Sequence, residues 1–150
     1  MRAVLQRVSA ARVTVGGEEI GAIGSGLLLL LGVAAEDTED DVCWLVGRIL
    51  ALRLFADEAG RLDRSLTETG GGLLVVSQFT LLASMRKGTR PSFHLAARPE
   101  VALPLYERFC ALAAERLGRT VATGRFGAEM EVSSVNAGPV TLVLDSRRRD

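Results

Sequence analysis

Residues 26–33 read GLLLLLGV. The run is wholly apolar, is bounded by glycines, and is too short to cross a bilayer. Its length favours a strand over a helix, and its lack of alternation means that both faces are buried. A strand buried on both faces needs packed material above and below it, so this one run already calls for a layered architecture.

A second such run, Leu73–Val76, lies in GGGLLVVSQFTL (residues 70–81) and passes directly into Ser77-Gln78-Phe79-Thr80. Between the two runs, EDTEDDVCWLVGRILALRLF carries Val42, Leu45, Val46, Ile49 and Leu52 at helical spacing. Thr38 with Asp41 three residues on resembles a capping box, so a helix is expected over about 39–52. Asp57-Glu58-Ala59-Gly60 is a turn between two short extended segments. PEVALPLYERFCALAAERLG is a second helix, with Pro99 at its start and Gly118 at its end. Pro104 conflicts with a start at residue 99, which predicts a bent or late first turn.

Both ends of the chain read as strands. AVLQRVSAARVTV alternates in places and leads through Gly16-Gly17 into a second short strand. SSVNAGPVTLVLD (133–145) has strand residues on both sides of Gly138-Pro139, a pair unsuited to a sheet ladder. That pair is either a turn between two short strands or backbone kept for a purpose. SRRRD, residues 146–150, reads as a solvated polar tail. Two helices cannot cover this much apolar strand surface. The expectation is a mixed α/β single domain over 1–150, layered β/β/α, sheet on sheet with the helices on one outer face.

Hydrophobic residues make up 48% of the chain and charged residues 24%, as in globular proteins. Eighteen basic side chains balance eighteen acidic ones, which argues against extensive tracking of nucleic-acid phosphates and leaves room for a local basic patch. Cys43 and Cys110 are far apart and His94 is the single histidine, so no metal-site spacing is present. The early arginines Arg2, Arg7 and Arg12 break any signal-peptide core. A soluble cytoplasmic protein without metal or cofactor is expected.

The strand end Ser77-Gln78-Phe79-Thr80 offers hydroxyls and an amide on well-fixed backbone. A Ser77 or Thr80 nucleophile would need a base, and His94 is the only histidine available. No Gly-x-Ser-x-Gly elbow, Walker motif or GxGxxG occurs. Phe79, Phe93 and Phe126 lie in or near breaker-rich segments, where aromatics can stack a nucleobase or plug a core.

Taken in order, MRAVLQRV, GLLLLLGV, GGGLLVVSQFTL, RPSF, TGRFGAEMEV and VNAGPVTLVL closely resemble the D-aminoacyl-tRNA deacylase family over nearly the whole chain. The resemblance implies a homodimer that hydrolyses D-aminoacyl-tRNA esters, and also glycyl-tRNA, at sites on the subunit interface. It implies that Gly138-Pro139 is cis and reaches into the partner's site, where its carbonyls exclude L-residues. It implies that Ser77, Gln78, Phe79 and Thr80 surround the ester, and that the tRNA 2′-hydroxyl helps to activate water. Arg7 would brace the Gly-Pro segment, and Phe126 and Met130 would line an adenosine pocket. The implied partner is the aminoacylated 3′ end of tRNA, with no membrane and no DNA. Two alternatives remain: a silent binding module on the same fold, and an esterase using Ser77 or Thr80 with His94.

Overall fold

The computed structural model describes residues 1–149. Strand β1 (Arg2–Val15) is followed by β2 (Glu18–Ile23), β3 (Gly26–Gly32), helix α1 (Glu39–Ala51), β4 (Arg53–Ala56) and β5 (Leu62–Ser65). Then come a short helix α2 (Leu66–Thr69), β6 (Gly72–Ser77), a 3-10 turn (Phe79–Leu82), α3 (Pro99–Leu117), β7 (Ala122–Thr123) and β8 (Glu131–Asp145).

The two apolar runs, β3 and β6, pair in parallel with Leu27 opposite Leu73. Their odd-numbered residues Leu27, Leu29, Leu31, Leu73 and Val75 join α1 and α3 in the larger core. The even-numbered Leu28, Leu74 and Val76 form a second core with Val8, Ala11 and Val13 of β1. Double-sided burial is therefore real. The expected second sheet layer, however, is the same sheet folded over. One edge of β1 pairs with β3 along its first half and with β2 along its second half. Between those halves β1 carries one residue more than β8, between Val8 and Ala10. Such a bulge bends a strand and strengthens its twist. Before it Ala3 and Leu5 face the larger core and Val8 the second; beyond it Ala11 and Val13 face the second. Gly21 lets the folded layers meet, since a Cβ there would lie 2.3 Å from the Thr123 carbonyl oxygen.

Helix α1 starts where expected, with the Asp41 carboxylate accepting the Thr38 amide at 2.8 Å. Helix α3 corrects one expectation. It begins at Pro99 and runs through Pro104. Pro104 is exposed, and so is Glu100, whose carbonyl would have taken the missing N–H bond. Water can satisfy that carbonyl, so the proline is tolerated.

The C-terminal segment corrects another. Ser146 is buried and joins a polar cluster, accepting the Met1 α-amino group at 2.6 Å and donating to Asp41 at 2.6 Å. Arg147 pairs with Asp37, and Arg149 lies 5.2 Å over the Trp44 ring. Buried carboxylates at the start of α1 need cations, and these arginines supply them. Asp150 lies outside the described residues. Among the described residues no helix is long and apolar enough to cross a membrane.

Candidate active site

Strand β6 ends at Ser77, and Gln78 then leaves the sheet while its amide still donates to the Leu31 carbonyl at 2.8 Å. The 3-10 turn follows at once, so Phe79 and Thr80 stand at its first two positions. Its seat is the glycine that ends β3. A Cβ on Gly32 would lie 2.5 Å from a Leu82 methyl and 2.9 Å from the Gln78 carbonyl oxygen. Arg2 holds the turn from behind, donating to the Leu81 carbonyl at 2.8 Å while paired with Asp145 at 3.0 Å.

The opposite wall is the segment before α3. Ala97 donates to Val33 at 2.9 Å and Ala35 to Leu95 at 3.2 Å, which extends the sheet by one irregular rung. Between the walls lies a cleft of ≈ 560 Å³, large enough for a nucleoside-sized group. Ser77, Gln78, Phe79, Phe126 and Met130 all line it. Phe79 is 57% exposed, and its ring meets Phe93 edge-on with centroids 5.0 Å apart. An exposed aromatic pair at a cleft mouth is free to stack on a planar ligand. Thr80 sits beside the cleft and not in its lining. Its hydroxyl is bound by the Gln78 side-chain amide.

Among the polar and aromatic lining residues, Arg98 and Tyr106 escaped the sequence reading, whereas Phe93 is one of the aromatics it named. Tyr106 is the chain's only tyrosine and lies on the buried face of α3. Its hydroxyl donates to the Val75 carbonyl at 2.8 Å, and burial holds its pKa above the ordinary phenol value. A lone buried tyrosine needs a partner for its hydroxyl, and that was the available signal. Its ring stands 5.8 Å from Phe126, forming the cleft floor. Burial likewise pushes the Cys110 thiol up to about 11, so it stays protonated at neutral pH.

His94 Nδ1 lies 2.9 Å from Ser92 Oγ, and no hydrogen bond joins His94 to Ser77 or Thr80 among the described residues. The esterase alternative therefore has no assembled base.

Arg7, Gly138 and Pro139 are elsewhere. Arg7 pairs with Leu27, four residues along β3 from the cleft at Leu31, or about 13 Å. There β8 departs from β1: between Gln6 and Val8 it spends five residue steps against two. The four residues that stand opposite Arg7 alone, Ala137 to Val140, arch out of the strand at the fold in the sheet. Asn136 closes the arch, accepting the Val140 amide at 3.2 Å and donating to Thr141 at 3.0 Å. Arg7 fills it from below, donating to the Ala137 carbonyl at 3.0 Å and to Leu54 of β4 at 2.6 Å. The Gly138-Pro139 bond is cis, and Gly138 has φ +127°. The arch is thus a braced piece of backbone, neither a simple turn nor part of its own chain's cleft.

The sequence matches the D-Tyr-tRNA(Tyr) deacylase family over residues 4–145. A D-aminoacyl-tRNA deacylase of Opitutus terrae is 64% identical over 150 residues, all of both chains. A solved structure of a c-Myc DNA unwinding element binding protein is 44% identical, with TM-score 0.90 over 97% of this chain and 98% of that one. A probable eukaryotic D-amino acid tRNA deacylase, 20% identical, has the same fold, with TM-score 0.85 over 95% of this chain and 97% of the other.

Proposed function

The chain belongs to the D-aminoacyl-tRNA deacylase family and is a hydrolase of that class; from this premise we propose how its residues divide the work. The substrate is the aminoacylated 3′ end of tRNA. The terminal adenosine enters the cleft over Phe126 and Met130, and the ester lies against Ser77, Gln78, Phe79 and Thr80. The first amides of a helical turn have no acceptor within it. Those of Phe79 and Thr80 are therefore placed to receive the carbonyl oxygen as it becomes an oxyanion. Water adds to the carbonyl carbon and the bond to the ribose oxygen breaks. The water's proton passes by way of the 2′-hydroxyl to the departing 3′-oxygen, giving free D-amino acid and tRNA. No side-chain base is required, consistent with the absence of one beside Ser77 or Thr80.

Chirality is set by a second copy of the chain. The arch at Gly138-Pro139 is rigidly held yet does not line its own cleft. In a homodimer the arch of one subunit inserts its carbonyls into the other's cleft, where an L-side chain would strike backbone. A glycyl ester has no side chain to exclude and is hydrolysed as well. Support comes from β8, a long edge strand whose Val135 and Val143 are 60% and 68% exposed. Such an edge needs a cover. We place the dimer in the cytoplasm, acting on tRNA and not on DNA or membranes.

The observation that carries this reading is the Ser77–Thr80 turn opening onto the aromatic-lined cleft. Its test is hydrolysis of D-tyrosyl-tRNA and L-tyrosyl-tRNA in parallel. Cleavage of the D-ester alone supports both reaction and filter. Cleavage of both sinks the role of the arch, and cleavage of neither favours a binding module. Duplex DNA should not compete; if it does, the DNA-binding activity named for the 44% identical protein extends to this chain.

A further inference from the structure

Charge is balanced over the chain but not along it. From Thr69 to Pro99 there is no Asp or Glu, although the flanking residues Glu68 and Glu100 are acidic. The same stretch holds Arg86, Lys87, Arg90 and Arg98, and Lys87 is the chain's only lysine. Elsewhere the exposed arginines often have carboxylate partners: Arg53 with Asp63, Arg61 with Asp57, Arg108 with Glu39. Arg86, Lys87, Arg90 and Arg98 are exposed and have no ion-pair partner among the described residues.

Their placement is specific. Ser84 and Ser92 exchange backbone hydrogen bonds of 2.8 and 2.9 Å, which clip the base of an arm over residues 85–91. Gly88, with φ +118°, turns the chain near its tip. Just beyond the clip, Phe93 meets Phe79 at the cleft mouth, and Arg98 lines the cleft itself. The arm therefore branches off beside the cleft, and Arg90, Lys87 and Arg86 follow Arg98 at growing distance along the chain.

We propose that the arm Met85–Pro91, with Arg98 at its inner end, is the surface that holds the phosphodiester backbone of the tRNA acceptor end. Arg98 takes a phosphate close to the cleft, and Arg90, Lys87 and Arg86 take those farther out. Unpaired cations facing a polyanion gain affinity by releasing its condensed counterions. With only four of them the grip is salt-sensitive and modest, suited to an enzyme that must leave one tRNA for the next. The inference rests on the deacylase reading for the identity of the RNA.

The test compares wild type with Arg86→Ala/Lys87→Ala/Arg90→Ala on D-tyrosyl-tRNA and on D-tyrosyl-adenosine, which lacks phosphates, across a salt series. The slope of log KM against log salt for the tRNA substrate should fall by about two to three in the triple variant. The advantage of tRNA over the adenosine ester in kcat/KM should shrink on the order of tenfold or more at low salt. A control triple variant at Arg53, Arg61 and Arg108 should keep the wild-type slope. Uncharged tRNA should also shield Lys87 from an amine-acylating reagent in the wild-type protein. Equal slopes in wild type and triple variant, or an unshielded Lys87, would overturn the proposal. If wild type cleaves neither ester, the deacylase reading has failed. Salt-dependent binding of uncharged tRNA to wild type and variant then still decides the role of the arm.

Discussion

Arg7 and Gly138 meet at the fold in the sheet with no room to spare: the guanidinium Nη2 stands 2.6 Å from where a Gly138 side chain would begin. Gly138 also has φ +127°, a conformation that L side chains rarely adopt. Gly138→Ala should displace both the arch and Arg7, costing about 1–3 kcal/mol of stability. In parallel assays it should impair discrimination between D- and L-tyrosyl-tRNA. An alanine variant with wild-type discrimination would separate the arch from chirality.

The Thr80 hydroxyl oxygen accepts the Gln78 side-chain amide, and no base is bonded to it among the described residues. Thr80→Ser should therefore keep near-normal kcat/KM. Thr80→Val should lose about 1–2 kcal/mol of transition-state stabilisation, roughly tenfold, through a loosened Gln78. Loss of activity by many orders of magnitude in Thr80→Val would instead argue for a nucleophile.

Gly32 is the seat of the Phe79–Leu82 turn. Gly32→Ala places a methyl 2.5 Å from Leu82 and 2.9 Å from the Gln78 carbonyl oxygen. The turn must move to make room, at a cost of about 1–3 kcal/mol typical of overpacking. Steady-state kinetics should show a larger loss than the fall in Tm alone explains, because the moved atoms are those lining the cleft.

Pro104 lies exposed within α3. Pro104→Ala restores a backbone hydrogen bond, and the gain should exceed the added freedom of the unfolded chain by about 1–2 kcal/mol. In a domain of this size that raises Tm by about 2–8 °C. A lower Tm would show that the proline fits the helix better than alanine does.

Asp41 and Asp145 both have pKa values below the ordinary 3.8. For Asp41, burial works against this and is outweighed by the Ser146 hydroxyl, the Thr38 amide, the Met1 α-amino charge and Arg147. For Asp145, burial is again opposed, here by the Arg147 amide, Arg2 and the Met1 α-amino charge. Carboxyls with depressed folded values contribute stability above their unfolded pKa, about 4. That stability is lost as pH falls through the folded values. Thermal unfolding should thus be nearly flat from pH 7 to 5 and drop steeply below 4, and Asp41→Asn should be less stable at pH 7 with a shallower acid drop.

The layers were legible because GLLLLLGV and GLLVV lack alternation, and no helix pair of this size covers two such strands. The fold in the sheet was not legible: it depends on one surplus residue near Ser9, and Ser-Ala-Ala carries no bulge signature. The short helix α2 had a readable cue in Ser65-Leu66-Thr67-Glu68, and the structure shows the reciprocal bonds of a capping box there. Ser77, Gln78, Phe79, Phe126 and Met130 line one cleft, and Thr80, named with them, stands outside its lining. Arg98 was missed because its importance lies in a wall built by pairing Ala34 with Ala96, a contact between distant segments that no local pattern announces.

The bulge near Ser9 also decides where the chain can change in length. Removing that residue would restore simple alternation from Val8, so Ala11 and Val13 would stay on Val8's face, in the second core, and Arg12 on the other; the strand would lose its bend but keep its facing. A library of single-residue deletions should therefore find β1 more forgiving at Ser9 than at Leu5 or Arg12. Loss of the Ser9 codon leaves the facing of its neighbours intact; loss of the Leu5 or Arg12 codon does not.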